Sequence, residues 1–128
     1  MSESEISQKL CNSLRQLGAV VFKIHGHAMQ QPGIPDFYLS HPLWQGWIET
    51  KGPMTKLTPL QVTFLRKLRK TGSNVCVLRF LDSRRWRIED EDFGIAKYFE
   101  SKNWQDGAEQ LLRILNGLRT STTMQPNT

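Results

Sequence analysis

The stretch GIPDFYLSHPLWQGWIETKGP, residues 33–53, decides how this chain is read. Gly33 and Pro35 make a tight turn. The segments PDFYLSH and WQGWIETKG then read as two strands joined by a short loop around Pro42. So short a connection implies antiparallel pairing. Three charged residues stand in these otherwise apolar segments: Asp36, Glu49 and Lys51. Side chains alternate across a strand, so Glu49 and Lys51 share one face while Ile48 and Thr50 take the other. Pairing the strands brings Asp36 beside Glu49. Two converging carboxylates suit a hard cation such as Mg²⁺, which takes oxygen ligands and keeps waters that a phosphate can replace. A metal there would polarise a phosphoryl oxygen and acidify a bound water. Lys51 stands beside it to orient that water or stabilise transition-state charge. Taken alone, Glu-x-Lys occurs by chance in most proteins and reads first as a structural ion pair. Asp36 on the neighbouring strand turns it toward a metal site.

Working outward, residues 3–17 (ESEISQKLCNSLRQL) carry Ile6, Leu10, Leu14 and Leu17 at helical spacing, and Gly18 closes the helix. At ~100° per residue these four side chains fall within roughly 80° of one another. Glu3 lies inside that sector and Glu5 on roughly the opposite side. A carboxylate on a buried stripe needs a partner, which makes Glu3 the better candidate for the acidic cluster. It also suits the positive end of the helix dipole. AVVFKIHG reads as a strand, with Lys23, His25 and His27 on one face. LTPLQVTFLRKLRKTG is a second helix with Thr58 as cap, Pro59 in the first position and Gly72 at the end. Thr58 and Gln61 make a capping box, a role compatible with a further one for Gln61. NVCVLRFLD reads as a strand buried on both faces, and RRWRIED as a strand with basic residues on one face. A last helix is expected over Asp106–Gly117. The expected fold is α/β, an αβββαβ core with a central mixed sheet flanked by helices, in one domain over residues 1–117. TSTTMQPNT lies in a polar tail over 118–128.

The 128 residues carry 17 Lys and Arg against 12 Asp and Glu, a formal charge of +5. The excess is concentrated: between Lys51 and Arg87 ten basic residues meet one acid, Asp82. Such a block suits a polyanion as well as a solvated surface. Lys56, Arg66, Lys70, Arg84 and Arg85 from this block, with Lys23, His25 and His27, are the candidate nucleic-acid contacts. No apolar run approaches the ~18 residues that cross a bilayer, and the N-terminus lacks a basic-then-apolar signal. A cytoplasmic protein with no membrane partner is the expectation. Cys11 and Cys76 form no CxxC pair and read as reduced, buried thiols. No cysteine spacing supports zinc at His25, His27 and His41. The acidic run Glu89–Asp92 reads as a solvated turn or a repulsive edge. Trp44, Trp47 and Trp86 read as core or dimer contacts.

Glu3, then GIPD at 33–36, IETK at 48–51 and LTPLQ at 57–61 together resemble the PD-(D/E)XK nuclease superfamily. More narrowly, the order is similar to the virus-type replication-repair nuclease (VRR-NUC) branch, which includes small stand-alone phage enzymes. The resemblance covers residues 3 to about 80 and implies a restriction-endonuclease-like fold. It further implies Mg²⁺-dependent cleavage of DNA phosphodiesters, with Mn²⁺ as substitute, leaving 5′-phosphate and 3′-hydroxyl ends. In that pattern Asp36 and Glu49 hold the metal and the Thr50 carbonyl adds a ligand. Lys51 matches the motif lysine, Gln61 the glutamine that follows, and Glu3 the first-helix glutamate. Stand-alone members resemble Holliday-junction resolvases, which work as dimers. The implied function is a homodimeric, structure-selective endodeoxyribonuclease acting on branched DNA in bacterial or phage replication, recombination or repair. The segment RRWRIEDEDFGIAKYFESKNW falls outside the family pattern. Two other readings remain at this level: a homing- or restriction-type nuclease that reads sequence through its C-terminal half, and a non-catalytic nucleic-acid binder.

Overall fold

The computed structural model describes residues 1–24, 33–90 and 95–123. The elements follow the order α1 (Glu3–Gln16), β1 (Val20–Lys23), β2 (Phe37–His41), β3 (Trp44–Lys51), α2 (Pro59–Lys70), β4 (Val75–Phe80), β5 (Arg85–Glu89), β6 (Ile95–Glu100) and α3 (Trp104–Thr123). Six strands form one sheet in sequence order, from β1 at one edge to β6 at the other. All neighbours are antiparallel except β3 and β4, which run parallel because α2 carries the chain back across one face.

Local signals set the helix ends. Ser2 caps α1 in a reciprocal box with Glu5, and Thr58 caps α2 in the same way with Gln61, with Pro59 just inside. Each helix then buries one apolar stripe. Ile6, Leu10 and Leu14 of α1 join Ala108, Leu111, Leu112 and Leu115 of α3 against Phe37, Leu39, Ile48, Leu78, Trp86 and Ile88 on one sheet face. On the other face Leu57, Val62, Leu65 and Leu68 cover Val75 and Val77. Every residue of β4 is buried, as its near-continuous apolar run requires. Cys11 and Cys76 are free and buried. Trp44 and Trp86 belong to the core, and Trp47 is half-buried with an edge-on contact to Tyr38.

The expected αβββαβ core is present. What lies after it differs from the sequence expectation. IAKYFE forms a sixth strand, and the last helix starts at Trp104 and runs past Gly117 to Thr123. Phe80, Trp86, Phe99 and Trp104 interlock, with the Phe80–Trp86 and Trp86–Trp104 ring centroids 4.9 and 5.3 Å apart. The Trp86 indole N–H donates to the Ser101 hydroxyl at 2.8 Å. The C-terminal third therefore completes the sheet and its core.

The turn before β2 is braced on α2. Gly33 has φ +89°, and a Cβ there would lie 2.7 Å from the Leu60 carbonyl oxygen. Gly72 has a similar φ, +91°, with open space around it. Gly72→Ala is expected to cost only the left-handed backbone term, about 1 kcal/mol. Gly33→Ala adds a backbone collision and is expected to cost about 3 kcal/mol. Urea unfolding of the two variants measures the difference, and equal losses would show that the turn is not braced on α2.

Candidate active site

Four separate pieces of chain meet where β3 ends. Phe37 pairs with Ile48 across β2 and β3, so one further step sets Asp36 opposite Glu49. Asp36 itself occupies the bend before β2, and its carbonyl accepts from the Ile24 N–H at 2.9 Å. Its carboxylate ends the β2–β3 ladder. Asp36 Oδ2 accepts from the Thr50 N–H at 2.8 Å and also from the Thr50 hydroxyl. In an extended strand one residue's N–H and C=O leave by the same edge, so the Thr50 carbonyl also opens toward Asp36.

Glu49 and Lys51 lie on the α2 side of the sheet, 3% and 4% exposed. Lys51 Nζ stands 3.5 Å from Glu49 Oε2. Gln61, in the first turn of α2, uses both ends of its amide. Its Oε1 accepts from the Thr58 N–H at 2.9 Å, and its Nε2 donates to Glu49 Oε2 at 3.2 Å. The capping role and the site contact are thus held by one side chain. Glu3 arrives from the opposite layer, accepting from the Gly52 N–H at 3.1 Å. Glu5 points outward to its cap, as the helical arithmetic requires.

This arrangement concentrates negative charge. Burial, then the charge of Asp36, push the Glu49 carboxyl up to about 8, with Glu3 adding and Lys51 opposing. Glu3, Asp36 and Glu49 against Lys51 give three formal negative charges and one positive. A divalent cation matches that balance. Among the described residues no group of three or more His, Cys, Asp and Glu side chains could hold an ion by itself. Asp36, Glu49 and the Thr50 carbonyl are the oxygen groups here that could hold a hard divalent cation. Glu3 is engaged at Gly52, at the rim of this set.

The candidate DNA contacts are scattered by the fold. Lys56 is exposed in the loop that follows β3. Lys23 reaches across to Gln8 of α1 at 3.1 Å. Arg66 is exposed along α2, and Lys70 stands nine residues beyond Gln61, about 14 Å along the helix axis. Arg84 lies in the bend before β5 and Arg85 opens the strand, where it pairs with Asp82 at 2.6 Å. His25 and His27 lie outside the described residues. His41 is structural: its Nδ1 accepts from the Leu43 N–H, and its Nε2 meets the Leu17 carbonyl, both at 3.0 Å.

The acidic run needs correction at its first residue. Glu89 is buried, not a solvated turn, and it pairs with Arg79 at 2.8 and 3.2 Å and with Arg87. Glu91 and Asp92 lie outside the described residues. Arg79 in turn donates to the carbonyls of Gly52 and Thr55 at 2.7 and 2.6 Å, fixing the loop that leaves the site. Sequence reasoning missed this trio. The signal was Arg79 itself, a lone cation in a strand buried on both faces, which demands an anion on a neighbouring strand.

No protein-family model matches the chain, and no curated protein matches it in sequence. Among solved structures the chain is similar to Hjc, a Holliday junction resolvase from the archaeal hyperthermophile Archaeoglobus fulgidus. The TM-score is 0.56 at 18% identity, over 81% of this chain and 91% of that chain. The fold is therefore the α/β one that the strand and helix order predicted, and the restriction-endonuclease-like one that the motif resemblance implied.

Proposed function

We propose that this chain is a divalent-metal-dependent endodeoxyribonuclease of the PD-(D/E)XK type, selective for branched DNA such as a Holliday junction. The observation that carries this reading is the convergence of Asp36, Glu49 and Lys51, with Gln61 and Glu3 around them, at the end of β3. The likeness to a resolvase structure supports the choice of branched substrate. The finer kinship, to the virus-type replication-repair branch, rests on the order of the motifs.

Asp36, Glu49 and the Thr50 carbonyl would hold Mg²⁺, or Mn²⁺ in its place. When bound, such an ion polarises the phosphoryl group and lowers the pKa of water. The chain's own groups supply the rest. Lys51, almost fully buried, presents a fixed ammonium to the charge that grows on the phosphoryl oxygens as water adds and the P–O3′ bond breaks. Gln61 steadies the Glu49 carboxylate, and Glu3 steadies Gly52 just beyond the lysine. Since β5 and β6 complete the sheet and α3 its core, no separate sequence-reading module stands among the described residues. Contacts to backbone and shape then set the choice of DNA.

A homodimer would cut the two symmetric strands of a junction as a pair. Val20 and Phe22, 54% and 60% exposed on the edge strand β1, offer apolar surface for self-association. Sedimentation should give twice the 14.8 kDa chain mass, and Phe22→Glu should shift it toward monomer. An unchanged mass would place the dimer contact elsewhere.

Labelled linear, nicked, flapped and four-way DNA, incubated with and without Mg²⁺ or Mn²⁺, tests the activity. Asp36→Asn and Lys51→Ala should each lower cleavage by about 10²–10³-fold or more while DNA binding persists. Wild-type rates in either variant would leave a non-catalytic DNA binder.

Metal binding should also be visible without turnover. Glu49 has a folded pKa of about 8 against an ordinary 4.5. Its contribution to stability is therefore full below pH 4.5 and is lost as pH rises through 8. Metal-free protein should melt lower at pH 8.5 than at pH 6. Mg²⁺ or Mn²⁺ should restore the melting point at the higher pH and release a proton when added near neutrality. Glu49→Gln should remove both effects. Calorimetry in two buffers of different ionisation enthalpy reads the proton, and none released would argue against Glu49 as a ligand.

A further inference from the structure

A second charged feature starts at Lys51 of the carboxylate site and runs away from it across the sheet. Lys51 pairs with Arg79, Arg79 with Arg87, and Arg87 with Tyr98 across β3, β4, β5 and β6. Three cations thus stand side by side in one row on one sheet face. Like charges directly opposite on neighbouring strands are destabilising, so the row needs anions. Glu49 answers Lys51, and Glu89 is shared between Arg79 and Arg87. One carboxylate for two guanidinium groups leaves this end of the row positive.

At the Arg87 end the row is reached from solvent, with the Arg87 side chain 24% exposed. α2 packs over Val75 and Val77, and beyond it the loop after β3 arches over the sheet instead. Pro53, Met54, Thr55 and Lys56 of that loop, with Arg79 and Arg87 beneath, enclose a recess of about 460 Å³. Arg79 is committed to Glu89 and two loop carbonyls. Arg87 is tied to Glu89 by its Nε and meets Tyr98 through Nη1 at 3.4 Å, with its charge over that ring. Among the described residues these bonds leave its Nη2 over. The Tyr98 oxygen accepts from Arg87, which leaves its own O–H to donate outward.

We propose that this recess is an anion subsite that seats a backbone phosphate of the nucleic acid, next to the phosphodiester at the carboxylate site. Arg87 and Lys56 provide the direct contacts, and Arg79 acts as a positioning residue by fixing both Glu89 and the loop. A phosphate there completes the charge balance that Glu89 leaves unfinished. The proposal rests on the nuclease reading for the identity of the polyanion, and on the cation row and recess for its position.

The test is equilibrium binding of the full chain to a fluorescent four-way DNA without divalent metal, by anisotropy over a series of salt concentrations. Each lost phosphate contact lowers the slope of log Kd against log salt by about 0.9. Arg87→Gln and Lys56→Gln should each lower the slope by about 1, and Arg87→Lys should keep most of it. Circular dichroism melts run alongside. Lys56 is exposed, so Lys56→Gln remains informative where Arg87→Gln does not fold. Wild-type slopes in both glutamine variants, with DNA bound normally, would overturn the subsite and leave the nuclease reading intact. Wild-type protein that binds none of the DNA forms would overturn both. Inorganic phosphate in the millimolar range should protect Arg87 from guanidinium-directed modification, and equal labelling with and without phosphate would count against the recess.

Discussion

A carboxylate sunk in a sheet beside a second carboxylate is the constraint on which the rest of this molecule depends. Glu49 is almost fully removed from water and faces the charge of Asp36, two conditions that both disfavour its ionised form. A fold can hold such a group by keeping it protonated, by surrounding it with donors or by leaving room for a cation. Here Gln61 and Lys51 reach one of its oxygens, and Thr50 satisfies Asp36 with two donors. Gln61 comes from α2 and Asp36 from the turn before β2, while Thr50 and Lys51 share β3 with Glu49, so the site exists only when these elements are assembled.

That requirement explains several local features that look unrelated. The turn at Gly33 is pressed against the first turn of α2, the same turn that delivers Gln61. The N-terminus of α1 ends at Gly52, the residue after Lys51. Arg79 grips Gly52 and Thr55 from the neighbouring parallel strand. The N-terminus of α1, the first turn of α2, the turn before β2 and one buried guanidinium thus converge on the stretch Glu49–Thr55. Arg79 also joins the carboxylate cluster to the cationic row beyond it, because it neighbours Lys51 on one side and Arg87 on the other. The sheet face changes from negative to positive over three strands, a polarity suited to metal and phosphate side by side.

Much of this was legible in the chain itself. The period of two in WQGWIETKG put Glu49 and Lys51 on one face, and the short loop at Pro42 put Asp36 opposite. Helical arithmetic separated Glu3 from Glu5, and the cap at Thr58 marked Gln61. These inferences work because strands and helices impose fixed spacings on neighbouring residues. The C-terminal third resisted the same treatment. IAKYFE has mixed polarity, since it is an edge strand with Tyr98 turned outward and Phe99 turned in. Glu89 opened an acidic run that looked solvated, yet it is buried because Arg79 and Arg87 on that sheet face bind it.

The sequence by itself determined the cap of α2, the order of strands and helices through β5, and which charged residues share a face. Those follow from backbone geometry acting over a few residues. Only the tertiary structure decided which charges find each other across the sheet. Glu89 between two arginines, Glu3 at Gly52, and the recess under the loop all depend on pairings between segments far apart in the chain. No local spacing encodes such meetings, because they are selected by the energetic cost of leaving a buried charge without a partner.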